Sequence, residues 1–239
     1  MKNNVRLTEG SITGSLVKLA LPIMATSFVQ MAYNMMDMIW LGRVSTEAVA
    51  AAGTAGFFTW FGSALFMIPK IGAEVGIAQS YGREDIEAAK KYVSHTIQID
   101  IIIALIYSFL LIVFRHQIIG FFDLGDQVVI NMAIDYLVIV SLGLVFYFLN
   151  PVFSGIFNGS GNSTTPFKVN AIGLVINMIL DPLMIMGFGP FPAMGVKGAA
   201  LATIIAQFIV TVIFIVISKR DLDLFKNFNI LRHLEKDYV

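Results

Sequence analysis

Residues 198–218 read GAALATIIAQFIVTVIFIVIS, without one charged side chain. A bilayer core is about 30 Å thick, and a helix rises about 1.5 Å per residue, so a run of this length and composition spans a membrane. Five comparable runs precede it, at residues 19–41, 48–70, 92–114, 128–153 and 168–188. An unpaired peptide group costs several kcal/mol in hydrocarbon, so each run reads as a helix. The predicted fold class is all-α: a polytopic membrane protein with a six-transmembrane-helix bundle over residues 1–218. Residues 219–239 read as a cytoplasmic linker or tail.

The rest of the composition agrees. Of 239 residues, 57% are hydrophobic and only 13% charged, against about 25% charged in soluble domains. Sixteen basic and sixteen acidic residues cancel, so nothing points to nucleic acid as a partner. Cysteine is absent and histidine occurs three times. Disulfides, thiolate chemistry and Cys-based metal sites are excluded, and a His-rich site is not expected. The polar start of the chain has no apolar core followed by a small-residue cleavage site, so no signal peptide is expected.

Loop charges set the orientation. Arg83, Lys90, Lys91 and Lys168 fall in even spacers, and Lys2, Arg6, Lys18, Lys219, Arg220, Lys226, Arg232 and Lys236 near the ends. The odd spacers hold Arg43, Arg115 and Lys197. The positive-inside rule then predicts both termini in the cytoplasm. Residues 82–92 read as a solvated connector in which Glu84, Asp85 and Glu87 suit a helix start and Glu87 pairs with Lys91.

Two acids sit where charge is expensive. Asp37 lies toward the outer end of span one, and Asp181 lies inside span five. Intramembrane carboxylates are functional candidates by default. Tyr33 and Asn34 share a helix face with Asp37, as Asn177 does with Asp181. Oxygen groups so placed can bind a proton or a hard cation such as Na⁺, and apolar surroundings penalise the bare charge. The bland alternatives are an Asp37 that snorkels to the interface, and an Asp181 that patches the backbone broken by Pro182. Pro22 and Pro151 also fall within spans.

Lys70 and Glu74 lie at i,i+4 near the inner end of span two, as an ion pair or as a gating pair. Gly72-xxx-Gly76 and Gly155-xxx-Gly159 match a small-residue helix contact pattern. Asp100 and Gln98 read as near-interface polar residues, a proton relay being the alternative. Residues 158–166 read as a turn-rich connector, not a phosphate loop, because no third glycine or Lys-Ser/Thr follows.

Several motifs carry a resemblance. The segments LALPIM at 19–24 and YNMMDMIWLGR at 33–43 resemble the opening of multidrug and toxic compound extrusion (MATE) transporters. AQSYGR at 78–83, NMILDPLMIMG at 177–187 and MGVKGAALAT at 194–203 follow in the family's order. The resemblance implies exchange of H⁺ or Na⁺ for small organic, often cationic, substrates, with no other cofactor. It implies a cation site at Asp37, Asn177 and Asp181, with Na⁺ as one candidate ion and Tyr33 and Thr203 as further members. Pro22 corresponds to a helix-bending proline. Asn34, Lys70, Glu74 and Asn150 are candidates for the substrate cavity or gate.

The family has twelve spans in two bundles. Six spans are therefore expected to be one half, completed by a second six-helix half or a second copy, or a truncated fragment that does not transport. The expected location is the lipid bilayer of a prokaryotic plasma membrane. Two further readings are a lipid-linked oligosaccharide flippase and an intramembrane aspartyl protease using Asp37 and Asp181. The first would need a more basic cavity and the second a Gly-x-Gly-Asp motif.

Overall fold

A computed structural model describes residues 12–189 and 191–225 of the chain. Lys2, Arg6, Lys226, Arg232 and Lys236, counted for the orientation, lie outside the described residues, as does most of the expected tail. Every regular element among the described residues is helical. They are α1 (Ile12–Leu41), α2 (Thr46–Gly82), α3 (Ile86–Val113), α4 (Arg115–Gly120), α5 (Gln127–Leu142), α6 (Leu144–Gly159), α7 (Thr164–Ile185) and α8 (Val196–Asp221). α1, α2, α3, α7 and α8 are each long and apolar enough to cross a bilayer, and α5 with α6 makes a sixth if the bent pair is one span.

Local chemistry sets the boundaries. Ser45 starts α2 by accepting the Ala48 N–H at 3.0 Å, and Asp85 starts α3 by accepting the Ala88 N–H at 2.9 Å. These caps satisfy donors that have no partner inside the helix. Glu84 stands outside α3, in a turn with φ 59°. Glu87 pairs with Lys90 at 2.6 Å, an i,i+3 contact. Asn162 accepts the Thr165 N–H at 3.1 Å and shapes the short turn from α6 into α7.

The helices outrun several expected spans, with α1 beginning at Ile12 and α3 at Ile86, and three further features stand out. α2 is 37 residues long and continues well past residue 70. Residues 128–153 are not one rod: α5 and α6 meet at a 53° bend, and α6 runs on to Gly159. Gly143 stands at the break, and a Cβ there would lie 2.5 Å from the Ile204 side chain. Glycine thus lets α8 press into the bend. Ser108 on α3 donates to the Ser141 carbonyl at 2.6 Å beside the break. Lastly, the expected tail begins as structure, because α8 reaches Asp221 and Leu222 and Leu224 are buried after it.

α2 packs against α3, α5 and α6, while α7 packs between α1 and α8. The Gly155-xxx-Gly159 pattern lies on the α2–α6 contact. A Cβ at Gly155 would sit 2.6 Å from the Lys70 carbonyl oxygen, and one at Gly159 2.5 Å from that of Glu74. Gly72 and Gly76 face α3 instead, toward Thr96 and Tyr92. Asp135 on α5 pairs with Lys197 at the start of α8, at 3.1 Å. Asp100 is completely buried among the helices.

α1 is attached by a thin seam. Among its described residues it buries only Thr26, Tyr33, Asp37 and Leu41, which repeat on one helical face.

The α2–α6 contact generates a test. Gly155→Ala and Gly159→Ala force backbone against backbone and should each cost about 1–3 kcal/mol. Thermal melting of the purified protein in detergent should show the loss; unchanged melting would mean that α2 and α6 can separate at little cost.

Candidate functional site

Three helices bring their polar residues to one point. α1 contributes Asp37, α7 contributes Asn177 and Asp181, and α8 contributes Thr203. The Asn177 amide donates to Asp181 Oδ1 at 3.0 Å and to Asp37 Oδ1 at 3.4 Å. Thr203 Oγ1 donates to Asp37 Oδ2 at 3.0 Å. Asn177 and Asp181 are fully buried, and Asp37 is 6% exposed. Asp37 therefore bonds into the bundle rather than snorkelling to the interface. Asp181 accepts from a side chain rather than patching the backbone at Pro182.

The cluster is incomplete by its own count of donors. Asn177 Oδ1 and Asp181 Oδ2 are buried with no hydrogen-bond partner among the described residues. Neither acid has a lysine or arginine partner there. Two carboxylates this close and this deep cannot both stay charged without compensation. A proton would supply the missing donor. A hard cation such as Na⁺ would use the spare oxygens as ligands. The residues fit either ion.

Tyr33 lies one turn before Asp37, and its hydroxyl is buried without a partner. It fills a notch left by Gly173 on α7, where a Cβ would lie 2.5 Å from the hydroxyl oxygen. Asn34 is exposed, and its amide reaches the Gln30 carbonyl at 3.5 Å.

Asp37 stands between two cavities. One holds about 190 Å³ and is lined by amides and hydroxyls, among them Gln30, Asn34, Asn150, Asn170 and Gln207. The other holds about 370 Å³ and is more aromatic, with Phe57, Trp60, Tyr136 and Tyr147. Asn34, Asp37, Ser63, Tyr147 and Thr203 line both. Aromatic faces beside a carboxylate suit an organic cation, which gains from both ring quadrupole and charge.

Asn150 plays a visible structural part in the first cavity wall. Its amide donates to the Gln207 carbonyl at 3.0 Å and to Gln207 Oε1 at 2.6 Å, and its Oδ1 accepts from Thr211 at 2.8 Å. It straps α6 to α8. Lys70 and Glu74 line neither cavity, and they form no ion pair with each other among the described residues. Their backbone carbonyls meet Gly155 and Gly159 instead. Pro22 lies inside an uninterrupted α1, and Thr26 Oγ1 donates to its carbonyl at 2.9 Å.

Gln30, Ser63, Tyr147, Asn170 and Gln207 were not singled out from the sequence. A signal was present. Gln30, Tyr33, Asn34 and Asp37 follow i, i+3, i+4, i+7 spacing, and Thr203, Gln207 and Thr211 follow i, i+4, i+8. Polar residues at helical spacing within apolar runs mark a wet face.

The MatE family model matches residues 22–183. A probable multidrug resistance protein NorM of Thermotoga maritima is 30% identical over 198 residues, covering 83% of this chain and 42% of that protein. A probable multidrug resistance protein YoeA of Bacillus subtilis is 27% identical over 236 residues, covering 96% of this chain and 50% of that protein. The chain thus spans about half the length of the curated relatives it matches. A crystal structure of MATE in the straight conformation superposes with a TM-score of 0.83 at 26% identity, covering 100% of this chain and 52% of that one. An outward-facing MATE transporter of the MOP superfamily superposes with a TM-score of 0.82 at 25% identity, covering 100% and 52%.

The bond from Thr203 can be tested without touching either acid. Thr203→Val keeps the side chain's shape and leaves Asp37 Oδ2 without its donor. It should cost about 1–3 kcal/mol, read as a lower melting temperature. No change would place the hydroxyl bond outside the forces that seat α1.

Proposed function

The chain belongs to the MatE family, and from that membership we propose that it forms the cation-binding bundle of an antiporter that exports small organic cations. The family is one of integral membrane transporters, not enzymes, which sets aside the protease reading. The observation that carries the proposal is the bridge of Asp37 by Asn177 and Thr203, with unpartnered buried oxygens left over. It ties α1 to α7 and α8 through groups whose charge an ion can change.

The coupling follows from that geometry. H⁺ or Na⁺ at Asp37 and Asp181 favours the packing in which α1 is seated. Loss of the ion leaves two carboxylates facing each other and favours release of α1. Substrate in the cavities beside Asp37 competes for the same charge. A ligand moves such an equilibrium only through its different affinity for the two states, and here ion and substrate differ at one carboxylate. Asp37, Asn177, Asp181, Tyr33 and Thr203 hold the ion in this proposal. Asn34 and Asn150 line the substrate space.

A cationic substrate agrees with the walls. Neither cavity includes a lysine or arginine, which argues against the pyrophosphate headgroup of a lipid-linked oligosaccharide. A second six-helix bundle completes the transporter, since the curated relatives are about twice as long. The basic residues in the loops support an orientation with both termini in the cytoplasm, in a prokaryotic plasma membrane.

The test uses cells expressing the chain with its completing half, loaded with ethidium. Asp37→Asn and Asp181→Asn should each bring efflux to the level of untransformed cells with normal membrane expression. Full efflux in both variants would sink the proposal. Varying Na⁺ at fixed pH in vesicles then tells the two ions apart.

A further inference from the structure

Asp100 is an intramembrane acid outside the cation site. It lies on α3, is fully buried, and presents two carboxyl oxygens with no hydrogen-bond partner among the described residues. A carboxylate in that position is an uncompensated charge in a dry interior, one of the costliest arrangements a fold can hold.

The neighbouring helices offer nothing to offset it. Gly62 faces Tyr107 and Gly72 faces Thr96, so α2 and α3 run antiparallel in a fixed register. Asp100 then falls at the level of Ile68 and Pro69 of α2, one turn from Leu65. Lys70, the basic residue nearest that turn, makes no contact with the carboxyl. On α3 itself, His95 engages Gln98 at 3.3 Å, and Tyr107 donates to the Phe58 carbonyl at 2.7 Å. Asp135 on α5 is held by Lys197. α6 has no charged residue, and its Tyr147 belongs to the cavities. A metal ion would need several more oxygen ligands than the two Asp100 provides.

α2, which packs against α3 at this level, does carry a spare acceptor. Pro69 has no N–H, so the Leu65 carbonyl one turn earlier is left without its helical donor. A carboxylate cannot bond to a carbonyl, whereas a carboxylic acid can.

We infer that Asp100 is a second proton-binding site, which donates its hydrogen to the Leu65 carbonyl while α2, α3 and α6 stay packed and releases it when they part. The site is separate from Asp37 and Asp181, and it takes a proton whichever ion those residues bind. Any movement that lets water reach the α2–α3 seam costs it a proton.

The experiment uses the full chain in lipid vesicles. Infrared spectra at neutral pH are recorded for the Asp37→Asn/Asp181→Asn protein with and without Asp100→Asn. The third substitution should remove a protonated-carboxyl stretch; identical spectra would overturn the inference. Asparagine is the neutral isostere and can donate to the same carbonyl. Asp100→Asn alone must therefore fold and melt within a few degrees of the parent. A variant that fails to fold, or melts far lower, would show that the charged form holds the seam and would equally overturn it.

Discussion

Everything in this bundle answers to the cost of keeping carboxyl groups out of water. Asp37 and Asp181 come from different helices and are brought close enough to share one amide. Such an arrangement persists only if donors or ions offset the charge. Asn177 and Thr203 supply part of that offset, and two buried oxygens remain over. The helices that carry these groups are thus held together by chemistry that depends on what is bound. A bundle of plain apolar helices would have no such dependence, because lipid competes equally well for apolar faces.

The rest of the fold divides into a fixed part and a conditional part. α2, α3, α5 and α6 interlock through glycines that admit backbone or aromatic rings, and this packing needs no ion. Among its described residues, α1 buries fully only Thr26, Tyr33, Asp37 and Leu41, with Met38 and Trp40 packed beside them. Its seam carries one of the two acids and a tyrosine whose hydroxyl has no partner. α1 shares its polar cluster with α7 and α8, and in the proposed exchange it is the helix whose seating a bound ion would change.

The sequence made most of the architecture legible, because hydrocarbon enforces helices and charge placement marks their ends. The 177–187 motif pointed to Asn177 and Asp181, and helical spacing joined Tyr33 to Asp37. The pairing of Asp37 with α7 and α8 was not legible from spacing, since it depends on how helices far apart in the chain are arranged. The break at Gly143 was hidden because the apolar run continues through it; only contact with Ile204 gives that glycine its role. Lys70 and Glu74 stand out in the sequence by their charges; that their backbone carbonyls meet Gly155 and Gly159 depends on how α6 packs on α2. Asp100 was placed near water because it lies early in its span. α2 outruns its apolar segment and buries that level of α3.

α1 has a further property that follows from its length. Its 30 residues extend about 45 Å at about 1.5 Å per residue, longer than a hydrocarbon core of about 30 Å. Its apolar part, residues 19–41, is about 35 Å long and fits such a core with a modest tilt or a flex near Pro22. Because only a narrow seam holds it, the surrounding lipid has unusual leverage over its angle. Acyl-chain length then acts as an effector in its own right. A thicker membrane favours the upright helix and a thinner one the tilted helix, so bilayer composition sets the ease with which Asp37 reaches its partners.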